Sequence, residues 1–312
     1  MTKVMLTGAN GFVGSALIRR LASRSDVHVI SALRNGELKP DRIAVGDIHG
    51  RTDFTEALAQ VDVVIHAAAR AHIMRDEVSD PLAEYRKVNV EGTLNLARQA
   101  IGAGVRRFIF LSSIKVNGEA TVHGKKFSAR DLPAPEDAYG VSKLEAEQGL
   151  LKLSAESGME VVIIRPPLVY GPGVKGNFAS MIKLVDKGLP LPLGAIHNKR
   201  SLVGINNLVD LINRCMDHPA AANQIFLAGD DRDLSTTELL RGVGEAMGKP
   251  ARLISVPSGL LRLGAGLLGR KAIAQRLLGS LQVDISETCN QLDWRPPCTV
   301  EDGLRFCFER SH

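Results

Sequence analysis

Cysteine is scarce in this chain, and its few copies lie far apart. The 312 residues include four cysteines (Cys215, Cys289, Cys298 and Cys307), and none of them forms a CxxC pair. Structural zinc sites usually contain closely spaced cysteine pairs, and disulfide frameworks occur in chains much richer in cysteine. The four separated cysteines therefore predict reduced packing residues without a metal. Reduced cysteines favour the cytoplasm.

Aromatic residues and long apolar runs are also scarce. Aromatics make up 4 % of the chain, and its net charge of +5 comes from lysines and arginines scattered along it. Nucleic-acid-binding proteins concentrate basic residues on one face, often among stacking aromatics, so we expect no nucleic-acid partner. We expect no signal peptide, and no apolar run of about 18 residues occurs, which predicts a cytoplasmic protein without stable membrane insertion.

The segment 253–281 is the most apolar part of the chain's second half. It is rich in leucine and glycine and carries Arg262, Arg270, Lys271 and Arg276. We expect a helical pair that covers a smaller lobe, with contact to a membrane surface as the alternative.

Glycine is plentiful, and three copies form the most informative motif. A short apolar run, residues 4–6, is followed by Gly8, Gly11 and Gly14 and then by an apolar helical pattern. A strand, a tight turn and a helix N-terminus in this order present free backbone N–H groups to a pyrophosphate. Gly8 permits the turn, Gly11 lets the backbone approach the phosphates, and Gly14 lets the helix pack on the strand. The motif therefore predicts a bound dinucleotide.

Beyond this motif, β-branched apolar runs alternate with helical patterns. Parallel strands that are buried on both faces have this near-continuous apolar character. The sequence therefore predicts an α/β fold built on a doubly wound parallel (Rossmann) sheet. The predicted strands are 4–6, 27–33, 43–45, 61–65, 107–111 and 161–164, and the helices after the first are 52–60, 81–102 and 136–157.

After residue 165 the alternation loosens, and prolines and glycines punctuate the chain. Helical patterns at 206–217 and 235–247 and a strand pattern at 224–227 predict a smaller, mixed α/β C-terminal lobe. We assign residues 1–165 to a dinucleotide-binding domain, with return segments from 200–230, and residues 166–312 to a substrate lobe.

The candidate catalytic residues follow the fifth strand. Ser113 stands at its end, and Tyr139 and Lys143 lie four residues apart at the start of a long helix, on one helical face. A nearby ammonium and an oxidised nicotinamide would both lower the pKa of a phenol, so Tyr139 could exchange a proton with a substrate oxygen. Ser113 could donate a hydrogen bond to the same oxygen.

With these residues in place, the chain resembles the nucleotide-sugar branch of the extended short-chain dehydrogenase/reductase family. The similarity runs nearly end to end. It is carried by TGANGFVG (7–14), GDI (46–48), HAAA (66–69), Asn89, Ser113, YGVSK (139–143), RPPLVYGP (165–172), KRSLV (199–203) and LDWRP (292–296).

The resemblance implies a role for each matching residue. The cofactor-binding residues would be Gly8, Asn10, Gly11, Phe12, Val13, Gly14, Asp47, Ile48, Ala67, Ala68, Ala69, Asn89, Tyr139 and Lys143. Among them, Asp47 would contact adenine, Asn89 would support the active-site helix, and Lys143 would also hold the nicotinamide ribose. Asn177 and Arg200 would bind the diphosphate of a sugar nucleotide beside Ser113 and Tyr139. The family also implies a homodimer formed through residues 81–102 and 136–157.

Two features depart from the family pattern. NAD-specific members carry an acid at the end of the second strand for the ribose 2′-hydroxyl, whereas this chain has Leu33-Arg34. Arg34 would accommodate a 2′-phosphate, so NADP(H) is the favoured cofactor, with NAD(H) as the alternative. Asn117-Gly118 and Leu168 stand where epimerases often have Tyr-Gly and Asn, which weakens an epimerase interpretation.

These features predict an enzyme that uses NADPH to reduce the C4 ketone of a nucleotide-linked 4-keto-6-deoxy sugar. The segment 112–119 is similar to that of bacterial reductases that act on UDP-2-acetamido-4-keto-2,6-dideoxyhexose for surface polysaccharide (lipopolysaccharide) synthesis. The first alternative is a UDP-hexose 4-epimerase, acting on UDP-glucose or UDP-GlcNAc, which would use the same residues with tightly bound NAD. The second is a non-catalytic NADP-binding sensor or assembly factor, against which the Tyr139–Lys143 pair argues.

Overall fold

The computed structural model describes residues 1–35, 41–71, 80–122 and 124–309. The strands are β1 (Thr2–Thr7), β2 (Val27–Leu33), β3 (Arg42–Ala44), β4 (Val63–His66), β5 (Arg107–Leu111), β6 (Glu160–Arg165), β7 (Leu168–Tyr170), β8 (Leu202–Gly204) and β9 (Gln224–Leu227). The helices are α1 (Phe12–Leu21), α2 (Pro81–Arg86), α3 (Thr93–Gly102), α4 (Ala138–Ser157), α5 (Gly176–Asp186), α6 (Ile205–Asp217), α7 (Thr236–Ala246), α8 (Ser258–Leu267), α9 (Lys271–Leu278), α10 (Ser286–Leu292) and α11 (Val300–Phe306). A π-helical turn, Lys87–Gly92, joins α2 to α3.

Seven strands form one parallel sheet in the order β3-β2-β1-β4-β5-β6-β9. This arrangement confirms the predicted doubly wound α/β fold. The direction of strand succession reverses between β1 and β4, and ligands of such sheets bind at this point, outside the carboxyl ends of the strands. The glycine turn follows β1, Ala67 to Ala69 follow β4, and Ser113 follows β5, so all three lie at this edge.

Apolar side chains cover both faces of the sheet, which explains why its strands are apolar along their length. On one face, Leu17 of α1, Leu208 of α6 and Leu292 of α10 belong to a single buried cluster with the strands. On the other face, Leu96 of α3 and Leu150 of α4 join a second cluster. Each such leucine contributes about 1.5–3 kcal/mol when it is fully buried.

A smaller lobe follows β6. Its β7 and β8 pair in parallel as a separate two-stranded sheet, and its own buried cluster includes Phe178 of α5, Leu240 of α7 and Leu304 of α11. The chain nevertheless returns to the main sheet, because β9 pairs with β6 and α6 packs on α1. The limits 1–165 and 166–312 stay a prediction.

One predicted helix is wrong. Residues 55–60 form successive turns instead, and residues 52–54 have no regular secondary structure. The Asp53 carboxylate accepts hydrogen bonds from the backbone N of Thr55 (2.9 Å) and from its hydroxyl (2.6 Å), and such local bonds compete with helix formation. Gln60 ends the segment with a φ of 60°. Phe54 is still buried, because the turns press the same apolar side chains onto the sheet.

Candidate active site

The glycine turn leaves the N-terminus of α1 open. Gly11 precedes this helix with extended backbone, no side chain caps the helix, and its first turn contains no acidic residue. Phe12 and Val13 form that first turn and are half-buried, while Asn10 is exposed at the tip of the loop. The backbone N–H groups and the positive end of the helix dipole therefore remain available to an anion such as a pyrophosphate.

Close backbone contacts explain the glycines. A Cβ on Gly14 would lie 2.1 Å from the carbonyl oxygen of Gly8, and a Cβ on Gly11 would lie 3.0 Å from the same atom. Gly8 has a φ of +73°, and its Cβ would lie 2.7 Å from the backbone N of Ala68. The turn thus packs directly against the residues after β4, which brings the predicted cofactor-binding segments 8–14 and 67–69 together.

A buried polar row lies beneath this turn. His66 shares hydrogen bonds with the hydroxyls of Thr7 (2.7 Å, at Nδ1) and Thr93 (2.9 Å, at Nε2). Burial, with a smaller effect of the Lys143 charge, lowers the pKa of His66 to about 3. His66 is therefore neutral at physiological pH and ties α3 to the ends of β1 and β4.

Asn89 lies within the π-helical turn and is buried. Its amide Nδ2 donates to Ser142 Oγ (3.0 Å) and to the Arg70 carbonyl (3.1 Å), and its Oδ1 accepts from the Arg70 backbone N (2.9 Å). These bonds connect the loop after β4 to α4. Asn89 therefore lies where it can hold the helix that carries Tyr139 and Lys143.

Tyr139 and Lys143 lie on the first two turns of α4. Asp137 caps this helix by accepting a hydrogen bond from the Gly140 backbone N at 2.7 Å. Lys143 is buried, and its Nζ donates to the Leu111 carbonyl (2.8 Å) and lies 6.0 Å from the centre of the Tyr139 ring. The lysine thus joins α4 to the end of β5, two residues before Ser113.

Burial dominates the electrostatics of this pair. It lowers the pKa of Lys143 to about 7, although the charge of Glu147 opposes the change. Burial, followed by the charge of Asp137, raises the pKa of the Tyr139 phenol above its usual value. The sequence predicts a lowered phenol pKa, and the protein alone does not produce one. The prediction counted two positive charges, the Lys143 ammonium and the oxidised nicotinamide. Burial disfavours the charged form of Lys143, and the nicotinamide charge is present only when the cofactor is bound.

A buried ionic network lies behind the site, and the sequence analysis missed it. Glu147 forms a bidentate ion pair with Arg165, in which Nη2 and Oε2 are 2.5 Å apart. Glu147 also accepts a hydrogen bond from the Ser112 hydroxyl. Glu147 lies four residues after Lys143 on the same face of α4, and this spacing could have indicated it. Ser112 thus faces the network, while Ser113 is half-buried after the end of β5, and its Oγ accepts a hydrogen bond from the Lys115 backbone N at 3.3 Å.

Arg34 follows β2, Asp47 follows β3, and their side chains contact each other. Arg34 Nε lies 2.6 Å from Asp47 Oδ1, and the two side chains are 75 % and 70 % exposed. The arginine predicted to bind a 2′-phosphate is therefore already beside a carboxylate. The neighbouring Ile48 is half-buried and packs against Gly92.

The two residues predicted to bind the diphosphate of the substrate belong to the smaller lobe. Asn177 is exposed on the first turn of α5. Arg200 is half-buried and donates from Nη1 to the Gly279 carbonyl (3.1 Å). Burial lowers the pKa of Arg200, and the charge of Glu119 opposes this effect. Glu119 in turn accepts from Lys115 Nζ (2.7 Å), so Arg200 faces the segment that follows Ser113.

Comparison with known proteins gives this site a family context. The sequence profile described as the NAD dependent epimerase/dehydratase family matches residues 4–229. The UDP-glucose 4-epimerase of Vibrio cholerae is 54 % identical over 305 residues, which cover 97 % of this chain and 93 % of the relative.

Two solved structures share the fold at lower identity. The Thermus thermophilus UDP-glucose 4-epimerase in complex with NAD is 24 % identical, with a TM-score of 0.76 and coverage of 98 % of this chain and 97 % of that one. RMD from Pseudomonas aeruginosa, complexed with NADPH, is 22 % identical, with a TM-score of 0.74 and coverage of 98 % of both chains.

These comparisons correct the functional interpretation of the sequence. The relative with 54 % identity is an epimerase, so the prediction of an NADPH-dependent 4-ketoreductase is wrong. Asn117 and Leu168 differ from the residues that epimerases often have at these positions, and both have a structural role here. Asn117 is buried, where its amide oxygen accepts from Arg165 Nη1 (3.0 Å), and Leu168 packs against the core of the smaller lobe. The fold alone does not decide between NAD and NADP, since proteins of this fold hold NAD in one case and NADPH in another.

Proposed function

The chain belongs to the NAD dependent epimerase/dehydratase family, and on this premise we propose that it is a 4-epimerase of a UDP-linked hexose that retains NAD throughout its cycle. The observation that carries the proposal is the 54 % identity to a UDP-glucose 4-epimerase over 97 % of the chain. A site with Ser113, Tyr139 and Lys143 at one sheet edge supports it. The homodimer, the cytoplasmic location and a role in surface polysaccharide synthesis stay predictions.

A nicotinamide dinucleotide fits the residues at the sheet edge. The uncapped start of α1 and the Cβ-free surface of Gly8 and Gly11 suit its pyrophosphate. When bound, it would supply a nicotinamide ring that can accept a hydride from C4 of the sugar and give it back. NAD is favoured over NADP, because the Asp47 carboxylate beside Arg34 would repel the two negative charges of a 2′-phosphate.

The protein's own groups handle the proton at the sugar O4. Tyr139 would take this proton as the hydroxyl becomes a ketone and return it when the hydroxyl forms again. Ser113 would hold the same oxygen by a hydrogen bond. Because burial raises the phenol pKa, Tyr139 needs nearby positive charge to lose its proton. The protonated form of Lys143, whose pKa is about 7 and whose Nζ lies 6.0 Å from the ring centre, would provide part of it, and an oxidised nicotinamide would provide the rest.

The direct test is to incubate the purified protein with UDP-glucose, and separately with UDP-galactose, without added cofactor. We expect both reactions to reach one equilibrium mixture of the two sugar nucleotides, followed by NMR or chromatography. UDP-GlcNAc and UDP-GalNAc are tested in the same way. If no such pair interconverts while mass spectrometry finds bound NAD in the protein, the epimerase proposal fails.

A further inference from the structure

The helices α8 and α9 form the predicted pair on the smaller lobe. Leu278 is buried, whereas four large apolar side chains of the pair, Leu260, Leu263, Leu267 and Ile273, are exposed. Leu261, Ala274 and Leu277 pack against the core of the lobe. None of the residues of α8 is buried. Leu260, Leu263 and Leu267, which are 61 %, 64 % and 82 % exposed, lie at a spacing of three and four residues on the opposite side of the helix.

The exposed apolar residues are concentrated in this region. Six of the large apolar residues that are exposed in the described part of the chain fall within residues 254–273: Ile254, Leu260, Leu263, Leu267, Leu268 and Ile273. Single exposed leucines are ordinary, whereas a contiguous apolar group on one helix pair indicates an interaction surface.

The charged residues of this stretch of the sequence have one sign. No aspartate or glutamate occurs between Glu245 and Asp284, whereas this stretch contains six basic residues: Lys249, Arg252, Arg262, Arg270, Lys271 and Arg276. Arg252, Arg262, Arg270 and Arg276 are exposed, and the described residues place no acidic side chain within ion-pair distance of any of the four. Elsewhere in the described chain, arginines commonly pair with acids, as Arg86 does with Glu145.

From this combination we propose that α8 and α9 form a peripheral docking surface for an anionic lipid bilayer. Leucines that project beside unpaired arginines can enter the boundary between headgroups and acyl chains while the arginines bind lipid phosphates. An acidic protein partner would match the arginines but would also need an apolar patch of its own to cover the three leucines, whereas an anionic bilayer supplies both environments along its whole surface. α8 has ten residues, and no helix in the described ranges combines the length and apolar character needed to cross a bilayer, so the contact would be superficial.

Docking in this way would bring the substrate-binding lobe to the membrane. The end of α9 adjoins the proposed substrate site, because Gly279 accepts the hydrogen bond from Arg200. The inference does not depend on the proposed epimerase activity, since lipid binding is measured without substrate.

The test is flotation of the full-length protein with two kinds of vesicle: phosphatidylcholine alone, and phosphatidylcholine mixed with phosphatidylglycerol. We expect binding to the anionic vesicles, little binding to the neutral ones, and release in high salt. Replacing Leu260, Leu263 and Leu267 together by serine should weaken binding by about tenfold or more, because three leucines lose their apolar contact. Arg262→Gln should weaken it about fivefold.

Matched controls separate this surface from exposed side chains in general. Leu132→Ser replaces a leucine that is 90 % exposed, and Arg19→Gln an exposed arginine on α1. Both should bind anionic vesicles as the unmodified protein does. Absence of binding to anionic vesicles would overturn the proposal, and so would binding that the triple serine variant retains. A third outcome is that the unmodified protein does not bind vesicles and the triple variant differs from it in molecular mass by light scattering. The surface would then contact a second copy of the chain, and the lipid proposal would be wrong.

Discussion

The amide of Asn89 donates a hydrogen bond of 3.0 Å to Ser142 Oγ, and so links the π-helical turn to the active-site helix. Ser142 lies between Tyr139 and Lys143, so this bond sets the rotation and height of α4 relative to the cofactor groove. A π-turn inside a helix is uncommon and is often found at functional sites. Here it turns a buried amide toward α4.

Asn89→Ala should therefore lower kcat by about ten- to hundredfold and change KM much less, because misplacing a proton-transfer group by a fraction of an ångström slows the reaction step. Asn95→Ala is the matched control. The Asn95 side chain also donates two hydrogen bonds, but it donates them to the carbonyls of His49 and Thr52, and neither bond reaches α4. Steady-state kinetics and urea unfolding of both variants test this. Equal losses of kcat in the two would assign Asn89 a purely structural role.

Tyr139→Phe should reduce the epimerisation rate by about 10²- to 10⁴-fold, because it removes the group that accepts the O4 proton. The ring stays, so its edge-to-face contact with Tyr85 (5.9 Å) and the bound nucleotide should remain. Turnover and the amount of co-purified cofactor are measured together. A variant that keeps full turnover would remove Tyr139 from the mechanism.

The pair of Arg34 and Asp47 provides a test of cofactor choice. If NAD is the cofactor, Arg34→Ala should change NAD binding by less than about threefold, because the exposed ion pair contributes only about 0–1 kcal/mol. If NADP is the natural cofactor, the same variant should lose NADP affinity by tenfold or more, since a charge-assisted hydrogen bond contributes about 1.5–3 kcal/mol. Calorimetric titration of both dinucleotides into cofactor-free protein distinguishes the two results.

Two glycine-to-alanine changes within helices should have opposite effects. In Gly14→Ala the new Cβ would lie 2.1 Å from a backbone oxygen, so α1 must move from β1, and we expect a loss of more than about 2 kcal/mol in stability together with weak dinucleotide binding. Gly264→Ala, in α8, has nothing within 4 Å of its new Cβ and should gain about 0.5–1 kcal/mol. Denaturant unfolding measures both, and a neutral Gly14→Ala would contradict the packing argument.

His66 should make the fold sensitive to acid. Its pKa is about 3 in the folded protein, against 6.5 for an unperturbed histidine. Between these values the unfolded chain binds the proton and the folded chain does not, so the free energy of unfolding falls as the pH falls. From about pH 7 to about pH 5 this one group should account for a loss of about 2 kcal/mol.

The check is urea unfolding of His66→Gln and of His197→Gln, which replaces an exposed histidine. His66→Gln should be less stable at neutral pH, because it disturbs the hydrogen bonds to Thr7 and Thr93, but its stability should fall less steeply with acid. The His197 variant should follow the unmodified protein. A His66 variant with an undiminished pH dependence would contradict the buried, neutral histidine.

Local spacing explains what the sequence predicted correctly. The parallel sheet follows from apolar runs that alternate with helical patterns. A strand that is apolar at nearly every position is buried on both faces of the sheet, and this can be recognised from the residues of the strand alone. The glycine turn and the i, i+4 relationship of Tyr139 and Lys143 are also local. The limit of such reasoning appears at residues 52–60, where apolar spacing predicted a helix, but two hydrogen bonds that Thr55 donates to the Asp53 carboxylate favour turns.

The sequence by itself determined the parallel sheet and the alternation of its strands with helices, whereas the order of the strands came from the structure. Only the tertiary structure decided which distant side chains meet: Arg34 with Asp47, Asn89 with Ser142, and Arg165 with Glu147. It also decided that burial raises the pKa of Tyr139 and that α8 keeps its leucines exposed. The physical reason is that partners and loss of water depend on segments far apart in the chain, whereas periodicity and turn chemistry depend on neighbours.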